Sequence, residues 1–312
     1  MRRKHFLFNT LTAISIVILL SSAFCPLTNA QVHDSSQLYK SIEFTLPNSF
    51  THGVEGPAAD KFGNVYAVNF SREGTIGIIS TNGHPGLFID LPDSSVGNGI
   101  RFDSRGKMLI ADYTMHNVLK VNMQTKKISV FAHESKMTQP NDIAIDSKNR
   151  VYASDPNFKL NTGRIWRVDM HGKVTLLDTL NGPANGIEVS PDEKKLYVNA
   201  GRKVWSYDLS RKGELSNKSL LIEFPDFGCD GMRCDAAGNL YIARIGKGVV
   251  AKVSPNGEIL KEIKLIGKKP TNVAFGGEDG CTVYVTLMDM GNLETFRVDT
   301  PGREWKMQRK NK

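Results

Sequence analysis

The feature that most constrains this chain is an internal repeat. When the sequence is laid over itself, the same pattern begins six times, at spacings of 43, 43, 44, 45 and 42 residues. Every repeat begins with an acidic or amide residue, in order Glu55, Asn98, Asn141, Asn185, Asp230 and Asn272. A period of about 40 to 50 residues is typical of the four-stranded blades of β-propellers. The repeat therefore predicts six blades.

Each repeat carries the pattern of four short strands. A short apolar segment such as 99–102 (GIRF) comes first, and a turn rich in Asp, Gly and Asn follows it. The second segment is nearly the same in all six repeats, for example VYAV at 65–68 and VYAS at 151–154. The third alternates apolar and polar residues, as in RIWRVD at 164–169. Such alternation indicates half-buried antiparallel strands. Because no segment shows a helical period, we predict an all-β, six-bladed propeller.

The two ends of the chain predict how the ring closes. The sixth repeat lacks a fourth strand, since residues 303–312 are polar and charged, and we expect them to form a solvated end. A spare strand, SIEFTL at 41–46, precedes the first repeat. Unpaired strand edges promote aggregation. We therefore expect segment 41–46 to complete the sixth blade.

The N-terminus has the composition of a signal peptide. Basic residues at 2–4 precede an apolar run at 11–24, and small residues at 28 and 30 fit a cleavage site. The run is shorter than the about 20 residues that a membrane-spanning helix needs, although an uncleaved anchor is the alternative. We predict a signal peptide at 1–30 and a periplasmic or secreted protein with no membrane attachment. Residues 31–312 would then form one domain, expected to be a monomer.

The charge does not indicate a nucleic-acid partner. The net charge is +8, of which +3 lies in the signal segment and most of the rest in the last ten residues. The chain has no basic stripe interleaved with aromatic residues. The three cysteines beyond the signal, Cys229, Cys234 and Cys281, form no Cys-x-x-Cys pair. A zinc-thiolate site is therefore not expected, while one disulfide remains open.

The residues that open the repeats predict a metal site. The innermost strands of a propeller line its axis, so these six side chains should ring the channel. All six carry an oxygen, and none is His or Cys. An all-oxygen ring favours one divalent cation, Ca²⁺ first, with Mg²⁺, Mn²⁺ or Zn²⁺ as alternatives. The competing interpretation is that Asn and Asp merely cap turns at these positions.

Four of the repeat openings carry motifs of a known family. They read Glu55-Gly56-Pro57, Pro140-Asn141-Asp142, Ala184-Asn185-Gly186-Ile187 with Ser190-Pro191-Asp192, and Asp230-Gly231-Met232. The chain resembles the gluconolactonase/regucalcin (senescence marker protein) family, which also includes diisopropylfluorophosphatase-like phosphotriesterases. The similarity runs from about residue 50 to about residue 300.

The resemblance implies specific roles for the ring residues. Glu55, Asn185 and Asp230 match metal ligands, and Asn141 matches a fourth ligand or a substrate-contacting residue. Asp230 also matches the proposed base or nucleophile, so that Asp230 and Asn141 are the expected catalytic residues. Four further residues are expected near the substrate or behind the ligands: Asn98, Asp142, Gln139 and Asn272. Gln139 stands where sugar-lactone members can carry an arginine that grips the substrate.

These assignments imply a metal-dependent hydrolase that opens a lactone or a related ester. A divalent metal would polarise the carbonyl, and Asp230 would act as base. The alternatives are a phosphotriesterase using the same site, a non-catalytic propeller that binds a metal or a sugar acid, and a protein-interaction platform. The loop 244–248 (RIGKG) is either a source of cations for an anionic substrate or a solvated loop.

Overall fold

A computed structural model of the protein describes residues 37–92 and 94–309. Six four-stranded antiparallel sheets account for the strands in this part of the chain. They form the six blades of a propeller, which confirms the predicted fold class. The predicted signal peptide, 1–30, lies outside the described residues.

The strand bounds repeat the sequence pattern blade by blade. Blade one contains β2 (Ala58–Ala59), β3 (Val65–Val68), β4 (Thr75–Ile79) and β5 (Pro85–Asp90). Blade two contains β6 (Gly97–Phe102), β7 (Met108–Asp112), β8 (Asn117–Val121) and β9 (Ile128–His133). Blade three contains β10 (Ile143–Ile145), β11 (Val151–Asn157), β12 (Thr162–Val168) and β13 (Val174–Asn181).

The second half of the ring has the same organisation. Blade four contains β14 (Ala184–Val189), β15 (Lys195–Ala200), β16 (Lys203–Leu209) and β17 (Leu215–Glu223). Blade five contains β18 (Met232–Cys234), β19 (Leu240–Arg244), β20 (Val249–Val253) and β21 (Ile259–Lys264). Blade six contains β22 (Pro270–Gly276), β23 (Thr282–Leu287) and β24 (Asn292–Arg297), with the short β1 (Ile42–Glu43) paired to β24.

Within each blade the chain runs from the axis outwards. The innermost strands are β2, β6, β10, β14, β18 and β22, and each contacts the next around the ring, with β22 contacting β2. On the outside of blade six, Ile42 of β1 lies opposite Thr295 of β24. The innermost strands all begin at the same end of the ring. Their first residues therefore converge on one mouth of the channel.

The apolar core is divided into six wedges, one between each pair of neighbouring blades. Each buried cluster combines side chains from two adjacent blades. Tyr66 and Phe102 meet edge to face at 5.6 Å between blades one and two, and Tyr241 and Phe275 do so at 5.0 Å between blades five and six. Burial of these faces holds the blades in register. The loops at the mouth are consequently free to carry polar groups.

A short helix, α1 (Arg303–Arg309), crosses the end of the ring opposite the mouth. The expectation that residues 303–309 form a solvated end was wrong. Arg303 is buried, and the helix side chains reach all six blades: Gln308 contacts Ala59, Glu304 contacts Arg101 and Arg233, Arg303 contacts Ile145 and Glu188, and Trp305 contacts Gly277. The helix forms because buried charges on the inner strands pair with Glu304 and Arg303. No helix in the described part of the chain is long and apolar enough to span a bilayer.

Candidate active site

A cavity of about 460 Å³ opens at the mouth of the channel. Five of the six residues that open the repeats line it: Glu55, Asn98, Asn141, Asn185 and Asp230. The structure thus brings together the four residues expected to bind a metal, together with Asn98. The sixth, Asn272, is fully buried and lies outside the lining of the cavity.

Glycines allow the ring residues to approach one another. Gly56 follows Glu55 and has a φ of +55°, and a Cβ at this position would lie 1.9 Å from the carbonyl oxygen of Asn98. Gly231 follows Asp230, and a Cβ there would lie 1.9 Å from the side chain of Asn272. Any larger residue would push neighbouring inner strands apart. The Glu-Gly and Asp-Gly motifs are therefore required by the packing around the axis.

Two buried carboxylates share the floor of the cavity. Glu55 and Asp230 are 8% and 7% exposed. Burial raises the pKa of Glu55 to about 7, although the backbone N–H of Gly56 donates to its Oε2 at 2.7 Å and opposes the shift. Burial, followed by the charge of Glu55, raises the pKa of Asp230 well above its ordinary value. In the described part of the chain, no cationic side chain contacts either carboxyl to favour its ionised state.

Three amide oxygens face the same space without a partner. The Oδ1 atoms of Asn98, Asn141 and Asn185 are buried and accept no hydrogen bond. Asn185 is hydrogen-bonded through its side chain to Asp230, so its amide nitrogen is engaged with the carboxylate while its oxygen remains unpaired. Buried acceptors left unpaired are costly. The floor therefore has an excess of acceptors and negative charge.

This donor set fits a hard divalent cation. Two carboxylates balance a charge of 2+, and amide oxygens complete the oxygen-rich surroundings that Ca²⁺ or Mg²⁺ favours. Among residues 37–92 and 94–309, no group of three or more His, Cys, Asp or Glu side chains is placed to hold a metal. A cation at this mouth would therefore depend on the asparagines as much as on the carboxylates.

Asn272 and Asp142 lie one layer below the ring. Asn272 Nδ2 donates to Glu55 Oε2 at 3.1 Å, and its Oδ1 accepts from Arg233 Nη1 at 3.1 Å. Asp142 is fully buried and pairs with Arg101 at 3.3 Å and with Arg233 at 3.0 Å. Burial raises the pKa of Asp142 to about 6, while Arg101 opposes the rise. Both residues support the ring from beneath and do not line the cavity.

Gln139 also stands outside the lining of the cavity. Its backbone N–H donates to Asp155 Oδ1 at 2.6 Å, and its side chain is hydrogen-bonded to Tyr113. Tyr113 does line the cavity. Gln139 therefore lies beside the cavity wall and does not itself line the cavity.

Cys229, next to Asp230, lines the cavity as a buried thiol. Burial raises its pKa to about 12, and the charge of Asp230 contributes to the rise. The thiol is thus held in the protonated form, which is a poor metal ligand. The other two described cysteines, Cys234 and Cys281, are also free thiols.

Several residues at the site were not identified from the sequence. The cavity walls include Tyr113, Phe158, Pro183, Ile245 and Met288. They come from loops, for which the repeat predicts no side-chain direction. The buried charges Arg101, Glu188 and Arg233 carried a recognisable signal. Each lies three residues after a repeat opening, in the middle of an otherwise apolar strand.

Comparisons with known proteins identify the family of this chain. Residues 54–289 match the model of the SMP-30/Gluconolactonase/LRE-like region. A gluconolactonase of Zymomonas mobilis is 28% identical over 231 residues, covering 66% of this chain and 64% of that protein. A diisopropyl-fluorophosphatase of Loligo vulgaris is 24% identical over 302 residues, covering 84% and 94%.

Solved structures show the same fold. The crystal structure of a calcium-binding protein, regucalcin, from Agrobacterium tumefaciens superposes with a TM-score of 0.72 at 23% identity, covering 83% of this chain and 94% of that one. The chain spans about half to two thirds of the length of the curated lactonases that it matches.

Proposed function

Because this chain belongs to the SMP-30/gluconolactonase/LRE-like family, we propose that it is a lactone hydrolase whose active site is the oxygen ring at the propeller mouth. The observation that carries the proposal is the convergence of two buried carboxylates with three unpartnered amide oxygens on one cavity. The related gluconolactonase supports the reaction class.

We propose that Glu55, Asn141, Asn185 and Asp230 hold one divalent cation. When bound, the cation supplies positive charge that polarises an ester carbonyl and keeps both carboxylates ionised. Ca²⁺ is the ion we favour because the donors are hard oxygens and the cavity leaves room for water and substrate.

Asp230 is the proposed base. Its carboxylate lies in the floor of the cavity and is oriented by the side chain of Asn185. It takes one proton from a water molecule whose oxygen forms the new bond to the carbonyl carbon. The ring C–O bond then breaks, and the proton held by Asp230 passes to the departing alkoxide oxygen. The product is a hydroxy acid, and the carboxylate is regenerated.

The asparagines help to orient the reaction. Asn141, as a proposed ligand, keeps the cation in position. Asn98 is not assigned to the cation, and its buried, unpaired Oδ1 can accept a hydrogen bond from the attacking water or the substrate. Acceptors held in fixed positions favour one reacting geometry.

The test is hydrolysis of a panel of lactones by the purified protein, with and without a chelator. Turnover that the chelator abolishes and Ca²⁺ restores is the expected result. Turnover that is insensitive to the chelator would refute the metal, and the absence of turnover on every lactone would refute the lactonase. Binding of Ca²⁺ without any turnover would instead favour a non-catalytic binding propeller.

A phosphotriesterase is the second candidate. The related diisopropyl-fluorophosphatase aligns over 94% of its own length, and the same ring of oxygens suits a phosphoryl ester. Fluoride release from diisopropyl fluorophosphate at a higher kcat/KM than any lactone would favour this alternative. We also propose that the protein acts outside the cytoplasm as a monomer, with residues 1–30 removed; N-terminal sequencing and sedimentation of the exported protein test both points.

A further inference from the structure

Above the oxygen ring, the walls of the cavity are apolar. Five blades contribute to them: Val96 and Tyr113 from blade two, Phe158 from blade three, Pro183 from blade four, Ile245 from blade five and Met288 from blade six. Phe158 is 52% exposed and stands at the rim. A substrate that contacted only the oxygen-rich floor would gain nothing from these apolar walls. The walls therefore indicate that an apolar part of the substrate lies against them.

Cationic side chains are missing from the lining. No Lys, Arg or His lines this cavity in the described part of the chain, although the whole sequence contains 40 Lys and Arg residues. The exposed carboxylate of Glu73 lies at the rim, in addition to Glu55 and Asp230 in the floor. A phosphate, sulfonate or carboxylate that a substrate carried beyond its ester group would find no cationic side chain among these lining residues and would lie near Glu73.

The cations of the loop at 244–248 are engaged with neighbouring residues and do not line the cavity. Arg244 is buried, donates to Asp226 Oδ1 at 2.9 Å, and stacks over the ring of Phe224 at 3.6 Å. Lys247 pairs with Asp226 at 3.1 Å and with Glu262 at 2.8 Å. The residue of this loop that lines the cavity is Ile245. Of the two interpretations of this loop, the contacts of Arg244 and Lys247 therefore do not support a source of cations for an anionic substrate.

The walls also offer few groups for hydroxyls. The polar wall side chains are few: Tyr113, whose phenol lies near Gln139, Glu73, and Asn69, whose Nδ2 donates to the carbonyl of Gly53 at 2.7 Å. A polyhydroxylated sugar ring needs a partner for each hydroxyl that it buries, and an unpartnered hydroxyl is costly. Burial of an apolar substituent of the substrate against these walls is instead favourable.

We propose that the substrate is an uncharged lactone whose ring carries an alkyl or aryl substituent, in preference to a sugar lactone. This inference rests on the proposed lactonase function. The ester group sits at the oxygen ring, and the substituent lies against Tyr113, Phe158 and Ile245. A cavity of about 460 Å³ is of a size that suits a small substituted ring.

The experiment compares kcat/KM along a series of δ-lactones with no substituent, a methyl, a propyl and a pentyl group, beside glucono-1,5-lactone and its 6-phosphate, after subtraction of spontaneous hydrolysis. We expect kcat/KM to rise about threefold for each methylene that the walls cover. The propyl lactone should exceed gluconolactone by about tenfold or more. The phosphorylated lactone should not be turned over above background.

Matched variants locate the preference. Phe158→Ser and Ile245→Ser should flatten the rise with chain length, because each removes a wall that the substituent covers. Phe62→Ser is the control, since Phe62 is 77% exposed in the β2–β3 turn at the opposite end of the ring, and it should leave the rise unchanged.

The outcomes separate the two proposals. Turnover that is fastest with gluconolactone, or a profile that is flat with chain length, would overturn the substrate class and leave the lactonase intact. A rise with chain length that persists in both wall variants would overturn the assigned walls. No turnover with any lactone would refute the proposed function and the substrate class together.

Discussion

Asn272 Nδ2 lies 3.1 Å from Glu55 Oε2, and this hydrogen bond joins the last blade of the ring to the first across 217 residues of sequence. The amide can have only one orientation here, because its oxygen accepts from Arg233 and from the backbone N–H of Val273. The amide of Asn272 thus bridges Arg233 and Glu55, with its oxygen towards the guanidinium and its N–H towards the carboxylate. In the sequence, Asn272 and Glu55 are related only because each opens a repeat.

Replacement of this amide should weaken cation binding. In Asn272→Leu, Glu55 loses a donor that favours its ionised form, so its pKa rises further. A hydrogen bond to a charged group contributes about 1.5–3 kcal/mol. We expect Ca²⁺ affinity at pH 7 to fall about tenfold, as measured by calorimetric titration. Asn256→Leu, at an exposed turn, is the matched control, and equal affinities in the two variants would contradict the role of Asn272.

Removal of the carboxylate of Asp230 should abolish turnover and leave the fold intact. Asn has nearly the same shape as Asp but cannot accept a proton, and loss of a base costs about 10²–10⁴ in rate. The measurements are kcat on the best lactone and the circular dichroism spectrum of Asp230→Asn. Asp192→Asn, in an exposed turn at the opposite end of the ring, should retain full activity. A variant at position 230 that still turns over would remove Asp230 from the mechanism.

Loss of Glu304 should destabilise the whole ring. Glu304 forms an ion pair with Arg101 and lies 4.0 Å from Arg233, and these two guanidiniums are 0% and 2% exposed. Arg101 and Arg233 keep Asp142 as a partner in Glu304→Ala, so neither charge is left unpaired. We therefore expect the free energy of unfolding, from urea titration, to fall by about 1.5–3 kcal/mol, the contribution of a hydrogen bond to a charged group.

The control for Glu304 is a surface ion pair. Glu262 pairs with Lys247 at 2.8 Å, with 34% and 26% of the two side chains exposed. Because exposed pairs contribute about 0–1 kcal/mol, Glu262→Ala should be nearly as stable as the native protein. If Glu304→Ala were as stable as Glu262→Ala, the ion pair of Glu304 with Arg101 would not stabilise the fold.

Stabilisation by Ca²⁺ should increase with pH. Burial raises the pKa of Glu55 to about 7 and that of Asp142 to about 6, above the about 4 that carboxyls have in an unfolded chain. Without a cation, the stability that protonation contributes is present below about pH 4 and is lost as pH rises through these folded pKa values. When the floor carboxyls of Glu55 and Asp230 ionise, they repel each other, and a bound cation offsets this repulsion.

The measurement is the melting temperature in Ca²⁺ and in chelator, at pH 5.5 and at pH 7.5. We expect the difference between the two conditions to be larger at pH 7.5, because the floor is ionised there and protons no longer compete with the cation. In Glu55→Gln the difference should be small at both pH values. A difference that shrinks towards high pH would contradict the buried carboxylates as the cation site.

The repeat was enough to predict the fold and the ring at the mouth. Strand alternation and the five spacings predicted four strands per blade, and the residues opening the repeats came together as expected, apart from Asn272. Propeller symmetry explains this success, since equivalent positions in each blade lie at equal depth along one axis. The same logic applies to Arg101, Glu188 and Arg233, which share an offset of three residues from a repeat opening.

Local sequence pattern therefore determined the blade, the number of blades and the polar opening of each inner strand, because a strand's period and turns depend on neighbouring residues. Three features were decided only when the blades closed into a ring. These are the position of Asn272 below the ring, the packing of α1 against buried arginines, and the apolar walls that loops of five blades form around the cavity. Each depends on contacts between residues far apart in the chain, where burial and charge pairing act only after the ring has formed.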